Sequence, residues 1–374
     1  MDFTLSEQEK MLQAMARDFA RREVVPRAAE IDRSGEFPAD MAEGLAKRGL
    51  RGLPFPTQYG GSGAGYVNFV LALEQICQAS VTVGAIMSVN TVPQEGIYRF
   101  GNEEQKQRLL RPLAEGKKLA GIGFTEPDTG SDPRMVKTTA RRDGDGWVIN
   151  GQKMFMSLAS VLDYVLLFAR QADGDGINAY IVDGKAKGFS VQERLETMGL
   201  RGLDASIVNL DEVYVPRENL IGEEGQGFAI LLEAISTERL AVAVQGLAAA
   251  QATLDLSIEY AKQRIAQGKP IARMQAIQQI LAEMAARTEA ARWLVYRTAF
   301  NREQADFQAE SSRAKLFATA VGVEVTRRAM DIHGAYGLTK SLPVERFYRD
   351  AMMAEVYVGS AEVHRTILAA KLTR

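Results

Sequence analysis

Strand-forming residues are concentrated in the middle third of this chain, whereas helical patterns dominate on both sides. Short apolar runs recur between residues 116 and 222, at a spacing typical of an antiparallel sandwich or barrel. Before and after this segment, apolar residues recur at helical intervals. The order predicts an α+β fold that is mainly α: an N-terminal helical domain (1–115), a middle antiparallel β-sandwich or barrel domain (116–222) and a C-terminal four-helix bundle domain (223–374).

Caps and prolines delimit the helical parts. Ser6 is a candidate N-cap for a first helix, and Pro26 interrupts the apolar spacing that follows it. After Gly222 the strand patterns stop. Long helices are predicted over residues 227–260, 274–300 and 305–333, and a last helix over residues 361–372. Helices of about 27 residues, at about 1.5 Å per residue, have the roughly 40 Å length that is typical of a bundle.

The dipeptide Asn150-Gly151 lies between two apolar runs of the middle segment. Asparagine followed by glycine is a strong signal for a tight β-hairpin turn. We therefore predict a hairpin whose two strands flank this dipeptide. Further strands are predicted over residues 164–169, 179–182, 207–210 and 213–215.

Composition excludes several classes of protein. The formal charge is −2, and the chain has no basic cluster of the kind that binds nucleic acid. Cys77 is the only cysteine, which excludes an internal disulfide and favours a reducing compartment. Two histidines, His333 and His364, are too few for a histidine-rich metal site. The N-terminus carries Asp2 and Glu7 where a signal peptide would be basic, and no apolar run approaches the ~20 residues of a membrane span. These features predict a cytoplasmic protein.

The segment Phe124–Asp132 is the strongest candidate for a binding loop. Its hydroxyl side chains, its glycine and its backbone amides suit a loop that holds phosphate groups and the polar edges of a cofactor. Three further motifs follow it in the order 150–155, 213–222 and 357–360. Acidic residues of the loop, such as Glu126 and Asp128, are predicted to cap it rather than to bind a metal.

The order of these motifs resembles the acyl-CoA dehydrogenase family, and the resemblance runs from Met1 to Arg374. It implies bound FAD, an acyl-CoA substrate and α,β-desaturation to a 2,3-enoyl-CoA. It also implies an electron-transferring flavoprotein as the acceptor and a homotetramer built as a dimer of dimers. The chemistry requires a flavin that accepts a hydride, a base that faces the α-carbon and a polarised thioester carbonyl.

The resemblance assigns one group of flavin contacts to the loop and the motif after it. The segment from Phe124 to Ser131 would lie against the flavin and the pantetheine, and Thr125 would bond the ring edge. Phe155 stands where the family mostly has a tryptophan beside the ring, and Ser157 where it has a threonine. The predicted contacts from this part of the chain are Phe124, Thr125, Gly130, Ser131, Phe155 and Ser157, and Ser131 would also bind substrate.

A second group of flavin contacts would serve a neighbouring subunit. Arg264 matches an arginine that meets the pyrophosphate, a role that suits a permanent, forked cation. Gln267 stands where the family usually has phenylalanine, and Asp331 where it usually has glutamine. The predicted contacts of this group, together with one near the C-terminus, are Arg264, Gln267, Gln275, Asp331, Gly334 and Ser360.

The base departs from the usual pattern, because Val358 stands where the family usually has a catalytic glutamate. Its backbone N–H could still polarise the thioester carbonyl. Glu238 matches the base position of isovaleryl- and long-chain-type members, and burial among apolar neighbours would raise its pKa towards neutrality. Arg239, Val358 and Gly359 are predicted as substrate contacts beside it. The alternative is a solvated pair formed by Glu238 and Arg239.

Other functions stay open at this point. The same scaffold could run in reverse as an enoyl-CoA reductase. The chain could also be a non-catalytic or half-site subunit of a mixed oligomer, since Val358, Asp331 and Gln267 depart from the family pattern. A flavin enzyme that acts on a non-thioester substrate is a further alternative.

Overall fold

The N-terminal part of the chain is helical. The computed structural model describes residues 4–304 and 306–373, so Asp2 and Ala305 lie outside the described residues. Ser6 caps the first helix: its Oγ accepts the Glu9 N–H, and the Glu9 carboxylate accepts the Ser6 N–H, as a capping box requires. The helices of this part are α1 (Glu7–Phe19), α2 (Val25–Ser34), α3 (Ala39–Lys47), α4 (Gly65–Ala79), α5 (Val81–Phe100), α6 (Glu103–Gln105) and α7 (Arg111–Ala114).

The prediction that Pro26 interrupts the first helix is wrong. One π-helical turn, Ala20–Val24, joins α1 to α2 without a break. Pro26 lies in the first turn of α2, where a missing N–H and a fixed φ are tolerated. A π-turn inserts one extra residue, and the apolar spacing changes at that point for this reason rather than because the helix ends.

The middle part is one mixed sheet of eight strands. The strands are β1 (Ala120–Gly123), β2 (Thr139–Asp143), β3 (Gly146–Met156), β4 (Tyr164–Gln171), β5 (Ile177–Asp183), β6 (Phe189–Arg194), β7 (Ser206–Val215) and β8 (Leu220–Ile221). They follow the order β6-β7-β3-β2-β4-β5-β8, with β1 beside β4. The pairings of β4 with β1 and with β2 are parallel, and the other pairings are antiparallel.

The hairpin predicted at Asn150-Gly151 is wrong, because β3 passes through this dipeptide as one strand. The tight turn lies earlier, where Asp143 of β2 pairs with Gly146 of β3. Gly151 instead marks a bulge against β7. A Cβ at this position would come within 2.5 Å of Thr138 Oγ1, so the glycine permits a close approach of two backbones.

The C-terminal part is a helical bundle. Its elements are α8 (Gly227–Gln263), a hairpin of β9 (Ile265–Ala266) and β10 (Lys269–Pro270), α9 (Gln275–Phe300), α10 (Phe307–His333), α11 (Val344–Val356) and α12 (Ala361–Leu372). The sequence patterns did not predict α11. Helices α8 and α10 approach closely at two glycines, since a Cβ at Gly246 would lie 2.7 Å from Ala318 O and one at Gly322 would lie 2.8 Å from Gly246 O.

Contacts around α11 join the three parts of the chain. Arg349 bonds Asp32 of α2 at 2.7 Å and donates to Met198 O at 2.9 Å. The Leu200 N–H donates to buried Asp350 at 2.7 Å. The predicted mainly α fold, with helical parts on either side of a β-domain, is confirmed. Among the described residues, no helix is both long and apolar enough to cross a membrane.

Candidate active site

A buried ion pair shapes the loop that follows β1. Glu126 Oε2 accepts the Lys137 N–H (2.6 Å), and Glu126 Oε1 accepts both the Thr138 N–H (3.0 Å) and Lys153 Nζ (2.7 Å). Burial lowers the pKa of Lys153 to about 8, against the attraction of Glu126. Burial alone would raise the pKa of Glu126, but Lys153 and the hydrogen bonds hold it below its usual value. The carboxylate therefore holds the loop, as predicted for its acids.

The end of β3 brings the two predicted flavin-binding segments together. The Met154 N–H donates to Thr125 O at 2.8 Å, which places Phe155 and Ser157 beside the loop. Phe155 adopts a left-handed backbone conformation (φ 56°) and its side chain is 57% exposed. Gly130 and Ser131 are also exposed. This arrangement presents an uncovered aromatic ring next to hydroxyls and free loop backbone.

Glu238 lies on α8 with only 4% of its surface exposed. Ser88 Oγ of α5 donates to Glu238 Oε1 at 3.0 Å. Glu238 Oε2 is buried and has no hydrogen-bond partner among residues 4–304 and 306–373. Burial raises the pKa of Glu238 to about 8, and the Ser88 hydrogen bond opposes that rise. A carboxylate in this state can hold or take a proton near neutral pH.

Two further side chains, Gln245 and Tyr357, continue the hydrogen-bond network from Ser88. Gln245 Nε2 donates to Ser88 Oγ at 3.3 Å, and Tyr357 Oη donates to Gln245 Oε1 at 2.5 Å. Sequence reasoning did not select Ser88 or Gln245. The available signal was their polarity within otherwise apolar helices, and Gln245 lies two turns after Glu238 on the same face of α8.

Arg239 is buried on a different side of α8. It is 4% exposed, and its Nη1 donates to Ser312 Oγ at 3.4 Å. Burial lowers the pKa of Arg239 to about 10. A solvated pair of Glu238 and Arg239 is therefore excluded, because neither side chain reaches solvent to any large extent.

Two buried basic residues, Lys315 and His364, hold the segment that contains Val358. Val358 has φ 58°, a costly conformation for a β-branched residue. Lys315 Nζ (2.6 Å) and His364 Nε2 (3.0 Å) both contact Gly359 O, and Ser360 begins α12. Among residues 4–304 and 306–373 no backbone hydrogen bond from the Val358 N–H is found.

The second group of predicted flavin contacts lies at the other end of α8. Arg264 ends that helix and its guanidinium lies 5.9 Å from the ring centre of Tyr336. Gln267 has φ 52° in the turn between β9 and β10. Asp331 lies 3.7 Å from Arg327 as a helix-end pair. Arg264, Gln267, Gln275, Asp331 and Gly334 are all exposed.

Domain models of one enzyme family match most of the chain. The acyl-CoA dehydrogenase N-terminal domain matches residues 6–117, the middle domain residues 121–213 and the C-terminal domain residues 225–373. The chain belongs to the acyl-CoA dehydrogenase family. It is an oxidoreductase that acts on CH–CH groups, and members of the family are FAD-dependent.

This acyl-CoA dehydrogenase is similar over its whole length to known proteins. It is 39% identical over 369 residues to an acyl-CoA dehydrogenase of Bacillus subtilis, which covers 97% of each chain. It is 37% identical to acryloyl-CoA reductase (NADH) of Anaerotignum propionicum over 100% of this chain and 96% of the other. Its fold matches butyryl-CoA dehydrogenase from Megasphaera elsdenii with a TM-score of 0.97, at 33% identity and 100% coverage of both chains.

The residues of this acyl-CoA dehydrogenase fit FAD. The exposed Phe155 ring offers an apolar face for a flat ring system. Thr125 and Ser157 are half-buried residues of the two adjoining segments, and hydroxyls of this kind can bond the polar atoms of a flavin. Exposed Arg264 offers a cation that suits a pyrophosphate. The cofactor predicted from the sequence is confirmed at the level of the family.

Proposed function

We propose that this acyl-CoA dehydrogenase uses Glu238 as the base that removes the α-proton of a branched or alicyclic acyl-CoA. The state of the Glu238 carboxylate carries the proposal. It is buried, one of its oxygens has no partner within the described residues, and its pKa is raised to about 8. Val358 cannot take a proton, so the base must come from another element.

In this mechanism each step on the protein has a named atom. Glu238 Oε2 accepts the α-proton, and its apolar surroundings keep the proton from being lost to water. The Val358 N–H donates to the thioester carbonyl oxygen, which makes the α-C–H more acidic. FAD, when bound, supplies the acceptor for the β-hydride. Arg239, Gly359 and Ser131 complete the proposed substrate contacts.

The flavin site is proposed to be shared between subunits. At about 1.5 Å per residue, roughly 40 Å of α8 separates Glu238 from Arg264. Residues near Glu238 and residues near Arg264 would therefore serve different flavins, and Arg264 would meet the pyrophosphate of a neighbour's flavin. A homotetramer, an electron-transferring flavoprotein as acceptor and a cytoplasmic location complete the proposal, with domain limits at residues 115 and 222.

The test is anaerobic mixing of the purified protein with a panel of acyl-CoAs while flavin absorbance is followed. We expect a yellow homo-oligomer whose flavin is bleached by at least one acyl-CoA. A colourless protein that binds flavin only with a second chain would instead support a half-site subunit. Bleaching by a non-thioester compound alone would support the remaining alternative.

Enoyl-CoA reduction is a second candidate, and the protonation of Glu238 favours it. With a pKa of about 8, most of Glu238 is protonated at neutral pH, as a donor to the α-carbon of an enoyl-CoA must be. A relative at 37% identity is named acryloyl-CoA reductase. Faster flavin oxidation by an enoyl-CoA than flavin reduction by the matching acyl-CoA, at one pH, would favour this direction.

A further inference from the structure

Glu238 is reached by a directed chain of hydrogen bonds. When Glu238 is ionised, its carboxylate can only accept hydrogen bonds, so in that state the Ser88 hydroxyl donates its proton to Oε1. Ser88 Oγ then accepts from Gln245 Nε2, which turns Gln245 Oε1 towards Tyr357. The three donors of this series, Tyr357, Gln245 and Ser88, are all directed towards Glu238 Oε1.

We propose that Ser88, held by Gln245 and Tyr357, is a positioning residue that reserves Glu238 Oε2 for the substrate proton. The inference rests on Glu238 as the proposed base. This series of hydrogen bonds ends at Glu238 Oε1, whereas Glu238 Oε2 has no hydrogen-bond partner among the described residues. Burying a carboxylate oxygen without a hydrogen-bond partner lowers the stability of the folded protein. A protein is expected to keep such an oxygen only where the substrate supplies its partner during the reaction.

Ser88 can also serve the protonated form of Glu238. Its Oγ lies 3.3 Å from Ala85 O, a second acceptor one turn earlier in α5. When Glu238 carries a proton on Oε2, Oε1 is a weaker acceptor and the Ser88 hydroxyl can donate to Ala85 O instead. The Ser88 hydrogen bond therefore favours the ionised form of Glu238 but does not prevent the carboxylate from taking up a proton.

Other titratable groups around Glu238 do not fix its charge. Tyr357 lies at the end of α11 and Cys77 lies on α4. The charge of Glu238 acts on both of these groups. Burial raises the pKa of Tyr357 and that of Cys77 well above their usual values. Both are neutral at neutral pH, so the Ser88 hydrogen bond is the specific interaction that tunes Glu238.

The experiment compares Ser88→Ala, Ser88→Thr and Gln245→Leu with the wild type. The rate of flavin reduction at saturating acyl-CoA is measured against pH, together with KM. Loss of a hydrogen bond to a charged group should raise the apparent pKa by roughly one unit or more in Ser88→Ala, with KM unchanged. Gln245→Leu should shift it in the same direction by less, and Ser88→Thr should restore the wild-type profile.

A matched control is Thr91→Val, which removes a buried hydroxyl from the same helix. The Thr91 hydroxyl donates to Met87 O, so this variant should keep the wild-type profile. An unshifted profile in Ser88→Ala, while Glu238→Gln is inactive, would overturn the positioning role and leave the base intact. An active Glu238→Gln would instead remove the proposed function itself. If Ser88→Ala does not fold, Gln245→Leu decides by the same profile.

Discussion

Lys153 Nζ lies 2.7 Å from Glu126 Oε1, and both side chains are almost completely buried. The pair links β3 to the loop that precedes β2, and Phe124 O and Phe168 O accept the other Lys153 hydrogens. The loop assigned to the flavin is therefore held from inside the β-domain rather than by its own exposed residues.

Lys153→Met should destabilise the protein strongly, because it leaves the Glu126 carboxylate buried without its cation. Breaking one side of a buried pair costs about 3–5 kcal/mol. Urea unfolding followed by circular dichroism measures the loss. The control is Lys137→Met, which removes an exposed pair with Asp128 and should leave the midpoint of urea unfolding almost unchanged. Equal losses in the two variants would show that the buried pair has no special role.

Arg264→Ala should lower the flavin bound per protomer and weaken the dimer, because the proposed shared site loses its pyrophosphate cation. Flavin absorbance after gel filtration and sedimentation measure the two effects. Arg141→Ala, at an exposed arginine paired with Glu212 on the β-domain, is the control and should keep both. Full flavin retention in Arg264→Ala would count against a shared site.

A branched or alicyclic acyl-CoA should reduce the flavin faster than butyryl-CoA. In the proposed site Val358 would make the wall of the acyl pocket apolar, and each additional buried CH₂ contributes about 0.8 kcal/mol, or about fourfold in kcat/KM. Val358→Glu should remove this preference and narrow the active pH range, since a second carboxylate near Glu238 raises one pKa. A straight-chain preference that the substitution leaves unchanged would place Val358 outside the acyl pocket.

Glu238 should make the stability of the protein depend on pH. Its folded pKa of about 8 exceeds the usual value of 4.5, so between these values the folded state binds more protons than the unfolded state. The free energy of unfolding then falls as pH rises through this window. Glu238→Gln should lack this contribution and gain stability relative to wild type as the pH approaches 8. Parallel pH profiles for the two proteins would contradict a buried, proton-binding Glu238.

Sequence patterns were sufficient for the order of helical, β and helical parts and for the approximate limits of α8, α9 and α12, because apolar spacing records which face of each element is buried. They missed β1, β6 and α11, and the two strands predicted over residues 207–210 and 213–215 are one strand, β7. They failed at Asn150-Gly151, where the glycine permits a close approach of Thr138, the residue before β2. The local turn preference of this dipeptide was overridden by a tertiary contact. The prediction at Pro26 was wrong for a local reason, because the π-turn Ala20–Val24 continues the helix into α2.

The site was only partly predictable, because some of its contacts join residues that are far apart in the sequence. The position of Glu238 and the rise of its pKa follow from a family match and an apolar neighbourhood. The Ser88 contact joins residues 150 positions apart, and no local pattern encodes it. The contacts of Lys315 and His364 with Gly359 O, next to Val358, also arise from packing of α10 and α12.

The central claim is that Glu238 takes the α-proton, and flavin reduction in Glu238→Gln tests it most directly. Rapid anaerobic mixing with an acyl-CoA that bleaches the wild type gives the rate, and flavin content and acyl-CoA binding are measured on the same sample. Glu259→Gln, at an exposed glutamate on the same helix, is the matched control. The account predicts a loss of about 10²-fold or more in Glu238→Gln alone, with flavin and ligand binding retained. A Glu238→Gln rate equal to that of the wild type would contradict it.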